Sequence, residues 1–199
     1  MNPNAATLRL ALLPRVQARL GILADVLLVL AGTGIVAGAA QISFHIPGTP
    51  VPITGQTFAV VLVGAALGSI RGFLSLSLYL LAGMALPFYA GGAKGVDEIM
   101  GASGGYIIGF VAAAAITGWL AERGQDKKLV SAVGSMLLGN VIIYLCGLPW
   151  LAETLHTNFA KTMEYGLNPF IAGDIIKLCV AGAALPTAWL AVKKINESR

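Results

Sequence analysis

The sequence predicts an all-α membrane protein: six transmembrane helices in one bundle, with both termini cytoplasmic. Three observations carry that prediction. The 199-residue chain is 57% hydrophobic and only 11% charged, with 25 glycines, far from the composition of an ordinary soluble domain. Six apolar runs approach or exceed the roughly 20 helical residues that cross a bilayer. The cations, finally, concentrate in alternate connections between those runs, which the positive-inside tendency places on the cytoplasmic side.

Taken in order, residues 1–21 carry Arg9, Arg15 and Arg19 and read as a cytoplasmic tail. The apolar run behind them, 22–42, is too long for a signal-peptide core and becomes the first span. The second and third spans, 56–70 and 73–90, are separated only by the "GSIRGF" stretch. The fourth, fifth and sixth follow at 103–121, 129–151 and 169–192, and residues 193–199 form a second cytoplasmic tail. No helix-to-helix repeat and no soluble segment of domain length appears, so 22–192 is one membrane domain. Lys94 and Lys161 fall in loops on the outer side and Lys177 lies within the sixth span; the other ten cations all share the inner side. The net charge of +4 therefore belongs to membrane-flanking loops. Without a basic stripe carrying interleaved aromatics, it gives no reason to expect nucleic-acid binding.

The inner connections are short, whereas three outer segments are longer: "SFHIPGTPVPITG", "GGAKGVDEIMGA" and "AETLHTNFAKTMEYGLN". Pro47, Pro50 and Pro52 keep the first from being helical and stiffen it, which suits either a preformed lid or a plain connector. The glycine-rich second segment is the expected moving part. Glycines four apart, at Gly34 and Gly38, Gly64 and Gly68, and Gly105 and Gly109, allow helices to approach closely in lipid or to form a docking face. Cys146 and Cys179 lack CxxC spacing and read as small apolar filler. Glu153 and His156 lack a third metal ligand, so no metal site is expected.

Polar groups converge near the outer ends of the spans. Asp174 lies about five residues into the sixth span, roughly 7 Å below its outer end, and Lys177 is about 5 Å deeper. Thr54, Gln56, Thr57, Tyr89, Ser103, Tyr106, Tyr144 and Trp150 fall at a similar level, and Asn140 is deeper. Three residues apart, Asp174 and Lys177 share a helix face. A lone ion at the bilayer centre costs roughly 2.5–3.5 kcal/mol even on lenient scales, so the pair should face the bundle interior or a watery cavity. It either orients the helix or binds a ligand, and a buried pair is weak evidence for stability. The ligand such groups suit is small, partly apolar and hydrogen-bonding.

An enzyme is the competing class. "GASG" at 101–104 resembles the serine motif of rhomboid intramembrane proteases, which need a histidine base from the sixth helix. Here His45 and His156 both lie in loops. A Ser103–Lys177 dyad needs neutral lysine, which Asp174 disfavours. No catalytic residue is assigned and the chain is expected not to be an enzyme, with intramembrane serine protease as the alternative. No Walker A sequence is present, so ATP, if used, belongs to another subunit.

The stretches "VPITGQTFAVVLVGAALG" (51–68), "LPFYAGG" (86–92), "GASGGYIIGF" (101–110), "GLPWL" (147–151) and "GDIIKL" (173–178) resemble the BioY family, the biotin-specific S components of energy-coupling factor (ECF) transporters. The resemblance implies a plasma-membrane protein that captures biotin from the outer side with high affinity. A transmembrane coupling protein and two ATP-binding cassette ATPases would complete the transporter; no cofactor is expected in this chain. By the GDxxK motif, Asp174 and Lys177 would bind the vitamin, with Gln56 and Tyr106 as the next matches. Tyr89, Trp150 and Asn140 complete the expected site, and Lys94 is the candidate partner for the carboxylate, with Gln56 or backbone N–H groups as alternatives. Gly34 and Gly38 stand where many S components carry an alanine pair that docks the coupling protein. No coupling-ion site is visible, and transport by this chain alone, as a homo-oligomer, stays open alongside transport with partners.

Overall fold

A computed structural model describes residues 7–8 and 21–197; the remainder of the two expected tails lies outside the described residues. The elements run α1 (Ile22–Gln41), β1 (Ser43–Phe44), β2 (Ile53–Thr54), α2 (Gln56–Leu67), α3 (Ser69–Gly83), a 3-10 turn (Ala90–Gly92), α4 (Val96–Met100), α5 (Gly104–Glu122), α6 (Leu129–Leu155), α7 (Phe159–Gly166) and α8 (Asn168–Glu197). Four of these, α1, α5, α6 and α8, are long and apolar enough to cross a membrane, while α2 and α3 are shorter apolar helices of 12 and 15 residues. The first, fourth, fifth and sixth expected spans thus appear at full length. The second and third appear shortened, each at a glycine.

The break between α2 and α3 is made at Gly68, whose φ of 89° side chains rarely tolerate. Glu122 closes the turn by accepting from the Ser69 N–H at 2.9 Å, which satisfies one of the orphan donors at the start of α3. At its other end α3 stops at Gly83 rather than running to residue 90. The chain folds back there, and a Cβ at Gly83 would overlap the ring of Tyr89. Tyr79 and Tyr89, both buried, meet edge-on with ring centroids 5.7 Å apart, a favourable aromatic geometry.

α5 is the central helix, packed on α6, α2 and α3, and it is far more buried than α1 or α8. Lipid tails are as apolar as leucine, so close backbone approach has to replace hydrophobic burial as the source of helix adhesion. The α5 interfaces meet that need. Gly64 and Gly72 lie against the Ala114 backbone, and Gly105 and Gly109 lie against Cys146 of α6. The outward faces carry Leu23, Leu27, Leu30, Leu145, Ile176 and Leu190, all exposed, as lipid contact requires.

The connection from α1 to α2 is a two-residue antiparallel ladder, Ser43 opposite Thr54 and Phe44 opposite Ile53. The prolines between the strands prevent helix there, as expected. Thr49 donates its hydroxyl to Tyr165 O at 2.7 Å, which ties this hairpin to the last turn of α7. At the opposite end of the bundle Arg71 pairs with Asp25 at 2.7 Å. There, too, the Trp189 indole of α8 donates to Asp126 at 2.6 Å.

Candidate functional site

Where α2 begins and α3 ends, the two short helices leave the hairpin end of the bundle to irregular backbone. Irregular backbone at membrane depth is tolerated only where it is buried in protein or lines a cavity, and here it does line one. A chamber of about 390 Å³ opens between the hairpin, the 84–95 connection and the ends of α2, α5, α6 and α8. Its volume falls within the usual range for small-molecule sites.

The α2 side of the wall is built around Gln56, whose amide is held by its neighbours. Its Nε2 donates to the Tyr79 hydroxyl at 2.6 Å, and its Oε1 accepts from Thr54 at 2.9 Å. Tyr79 in turn donates to Phe88 O at 3.1 Å. Such a chain fixes which amide atom faces which way, so Gln56 presents a preset edge rather than a free rotor.

The ion pair of α8 meets α2 at the next residue, Thr57. Lys177 Nζ stands 3.2 Å from Asp174 Oδ1 and donates to Thr57 Oγ1 at 3.1 Å. The other carboxylate oxygen of Asp174 accepts a short hydrogen bond from the Tyr144 hydroxyl of α6. With a side chain only 7% exposed, Asp174 is the buried member of the pair; Lys177, at 21%, reaches the chamber wall. Tyr144 and Tyr106 meet edge-on, centroids 6.2 Å apart. Tyr106 is seated by glycine: a Cβ at Gly147 or Gly166 would overlap it, and its hydroxyl donates to Gly166 O at 3.0 Å.

Of the residues expected at the site, Gln56, Tyr89, Tyr106 and Lys177 line the chamber, and Asp174 stands directly behind Lys177 and Tyr144. Three do not form its wall. Trp150 donates its indole N–H to Gly101 O at 3.0 Å and packs over Gly105; Asn140 is buried within α6 with its carbonyl oxygen unpartnered among the described residues; Lys94 is exposed on the 84–95 connection. Thr57 and Tyr144, which the sequence places at this depth, also line the wall, as do Phe170, His45 and Glu98, which were not among the expected site residues. Tyr144 carried a usable signal, a phenol one helix away at the depth of Asp174. His45, Glu98 and Phe170 carried none, since their approach depends on how the loops fold.

Ser103 also lines the chamber, but among the described residues no hydrogen bond joins it to a histidine, and Lys177 is committed to Asp174 and Thr57. What the site offers chemically is binding: one ammonium, one preset amide and phenols around an apolar cleft.

Comparison with known proteins agrees with this architecture. A solved structure described as the S-component for biotin from an ECF-type ABC transporter superposes with a TM-score of 0.75 at 21% identity, covering 90% of this chain and 94% of that one. The probable biotin transporter BioY of Pyrococcus horikoshii is 40% identical over 158 residues, 79% of this chain and 91% of the relative. The biotin transporter BioY of Thermotoga maritima is 37% identical over 168 residues, 84% and 94% of the two chains. The family model of BioY matches residues 8–194, nearly the whole sequence, and the chain belongs to the BioY family.

Proposed function

We propose that this chain is the high-affinity biotin-binding component of an ECF-type transporter, taking biotin from the outer side of the cell membrane and delivering it inward with partner subunits. The observation that carries the reading is the chamber itself, whose wall holds both Lys177, braced by Asp174, and the preset amide of Gln56. Biotin's ureido ring offers a carbonyl and two N–H groups. Lys177 donates to the carbonyl, Asp174 supplies the charge that holds Lys177 and accepts from the ring when the Tyr144 bond yields, and Gln56 can serve either role. Tyr106, Tyr89 and Phe170 cover the apolar bicycle.

In this reading the chain crosses the membrane six times with both termini cytoplasmic. α2 and α3 span about 18 and 22 Å at 1.5 Å per residue, short of a hydrocarbon core of about 30 Å, and the hairpin and the 84–95 connection complete their passage. The hairpin end is the outer one. Arg71, Arg123, Lys127 and Lys128 then lie inside, in accord with the positive-inside tendency.

The partner-facing surface is the α1 stripe of Gly34 and Gly38. A Cβ at either position would meet nothing within 4 Å, whereas Gly32 on the neighbouring face lies against Val63, Leu67 and Ser75. The stripe is therefore available to a coupling protein, whose ATPase partners supply the ATP hydrolysis for which this sequence has no phosphate-binding loop.

Equilibrium binding of radiolabelled biotin to the purified chain tests the reading, with Ser103→Ala measured in parallel. Tight saturable binding, unchanged in Ser103→Ala, is expected. No saturable binding would defeat it. Uptake by cells lacking the coupling and ATPase subunits tests the partnership: it should be lost, and full retention would point to a homo-oligomer acting alone.

A further inference from the structure

We propose that His45 holds the ligand's carboxylate at the mouth of the chamber, and so selects the acid over its neutral analogues. This rests on the biotin reading above. Apart from the phenols, three side chains in the wall carry charge or can carry it: His45, Glu98 and Lys177. Lys177 is engaged by Asp174 and Thr57 and belongs to the interior. Glu98 has the wrong sign for an anion. Lys94 is exposed and contributes nothing to the wall. With Gln56 and Lys177 assigned to the ureido ring, His45 combines access to the chamber with an N–H donor, which an imidazole offers in either protonation state.

Its position suits the task. His45 follows β1 directly, so the Phe44–Ile53 pairing fixes the chain just before it. Beyond it, Thr49 donates to Tyr165 O at 2.7 Å and anchors the same loop to the region of α7. The loop is thus held on both sides of the imidazole, which limits the ordering cost of binding. With the ureido ring at Lys177 and Gln56, a methylene chain runs along Val51 and Pro52 toward the hairpin, and the carboxylate arrives where His45 stands.

Glu98 gives the assignment a second, opposite sign. A carboxylate on the same wall repels the acid and leaves a neutral analogue indifferent, so its removal should shift selectivity in the direction opposite to removal of His45.

The test is calorimetric titration of the full chain in detergent with biotin and with biotin amide, which differ only in the tail's end group, an anionic carboxylate in one and a neutral carboxamide in the other. His45→Ala should weaken biotin binding by about tenfold, the scale of one charge-assisted hydrogen bond, and amide binding by less than about twofold. Glu98→Gln should raise the affinity for biotin relative to the amide. Amide binding in each variant doubles as the check that the chamber is intact. An equal loss on both ligands in His45→Ala, or no loss on either, overturns the assignment, as does a Glu98→Gln shift that is absent or follows His45→Ala. Failure of the unaltered chain to bind either ligand would instead remove the biotin reading, and this inference with it.

Discussion

The phenol of Tyr144 on α6 donates to Asp174 on α8, so the carboxylate that neutralises Lys177 is itself held from a second helix. This bond joins two of the long apolar helices at the level of the chamber. It also settles the orientation of Asp174: one oxygen faces the phenol and the other the ammonium. Tyr144→Phe keeps the ring and removes the donor. The buried oxygen left behind costs about 1–3 kcal/mol, so thermal unfolding in detergent should occur at lower temperature, and biotin affinity should fall as Lys177 loses its fixed counter-charge. Unchanged stability and affinity would show that the bond contributes nothing.

Two glycines seat Tyr106, and a second pair seats nothing. Gly147→Ala places a methyl group into the Tyr106 ring; overpacking of this kind costs about 1–3 kcal/mol and should displace a wall residue, weakening biotin binding. Gly34→Ala and Gly38→Ala add a methyl group in open space and should leave both stability and biotin binding of the isolated chain unchanged. Thermal unfolding and titration of the three variants side by side separate internal packing from a free face.

Asp126, in the connection between α5 and α6, is 1% exposed, and one of its oxygens is unpartnered among the described residues. Burial raises its carboxyl above the ordinary 3.8, against the opposing pull of the Trp189 N–H and the Lys127 charge. The folded chain therefore binds this proton more tightly than the unfolded chain. The stability it contributes is complete below the ordinary carboxylate value and is lost as pH rises through the raised folded value. Asp126→Asn keeps an acceptor for Trp189 and removes the buried charge. Melting temperatures of the two proteins across about pH 4–8 should diverge with rising pH, the variant being the more stable at neutrality. A constant gap would contradict the argument.

Four long helices were legible in the sequence because an apolar run of about 20 residues has one economical fate in lipid. The lengths of α2 and α3 were not. One depends on the left-handed turn at Gly68 and the other on Tyr89 returning to cover Gly83, a tertiary contact with no local signature. The site divides along the same line. The cost of ions in lipid singles out Asp174 and Lys177 without any structure. Depth along a helix can be counted, but the direction a side chain faces cannot: Trp150 turns toward the glycines at the start of α5, while Tyr144 turns toward Asp174.

The most direct test of biotin capture at the braced ion pair is calorimetric titration of Asp174→Asn with biotin. The substitution is nearly isosteric and leaves Lys177 half-buried without its counter-charge; where a buried charge pair takes part in binding, truncating one partner costs about 2–5 kcal/mol of affinity, roughly a thirtyfold loss or more. The account predicts that loss in a protein that still elutes as a single folded species with unchanged helicity. Wild-type affinity retained by Asp174→Asn would contradict it.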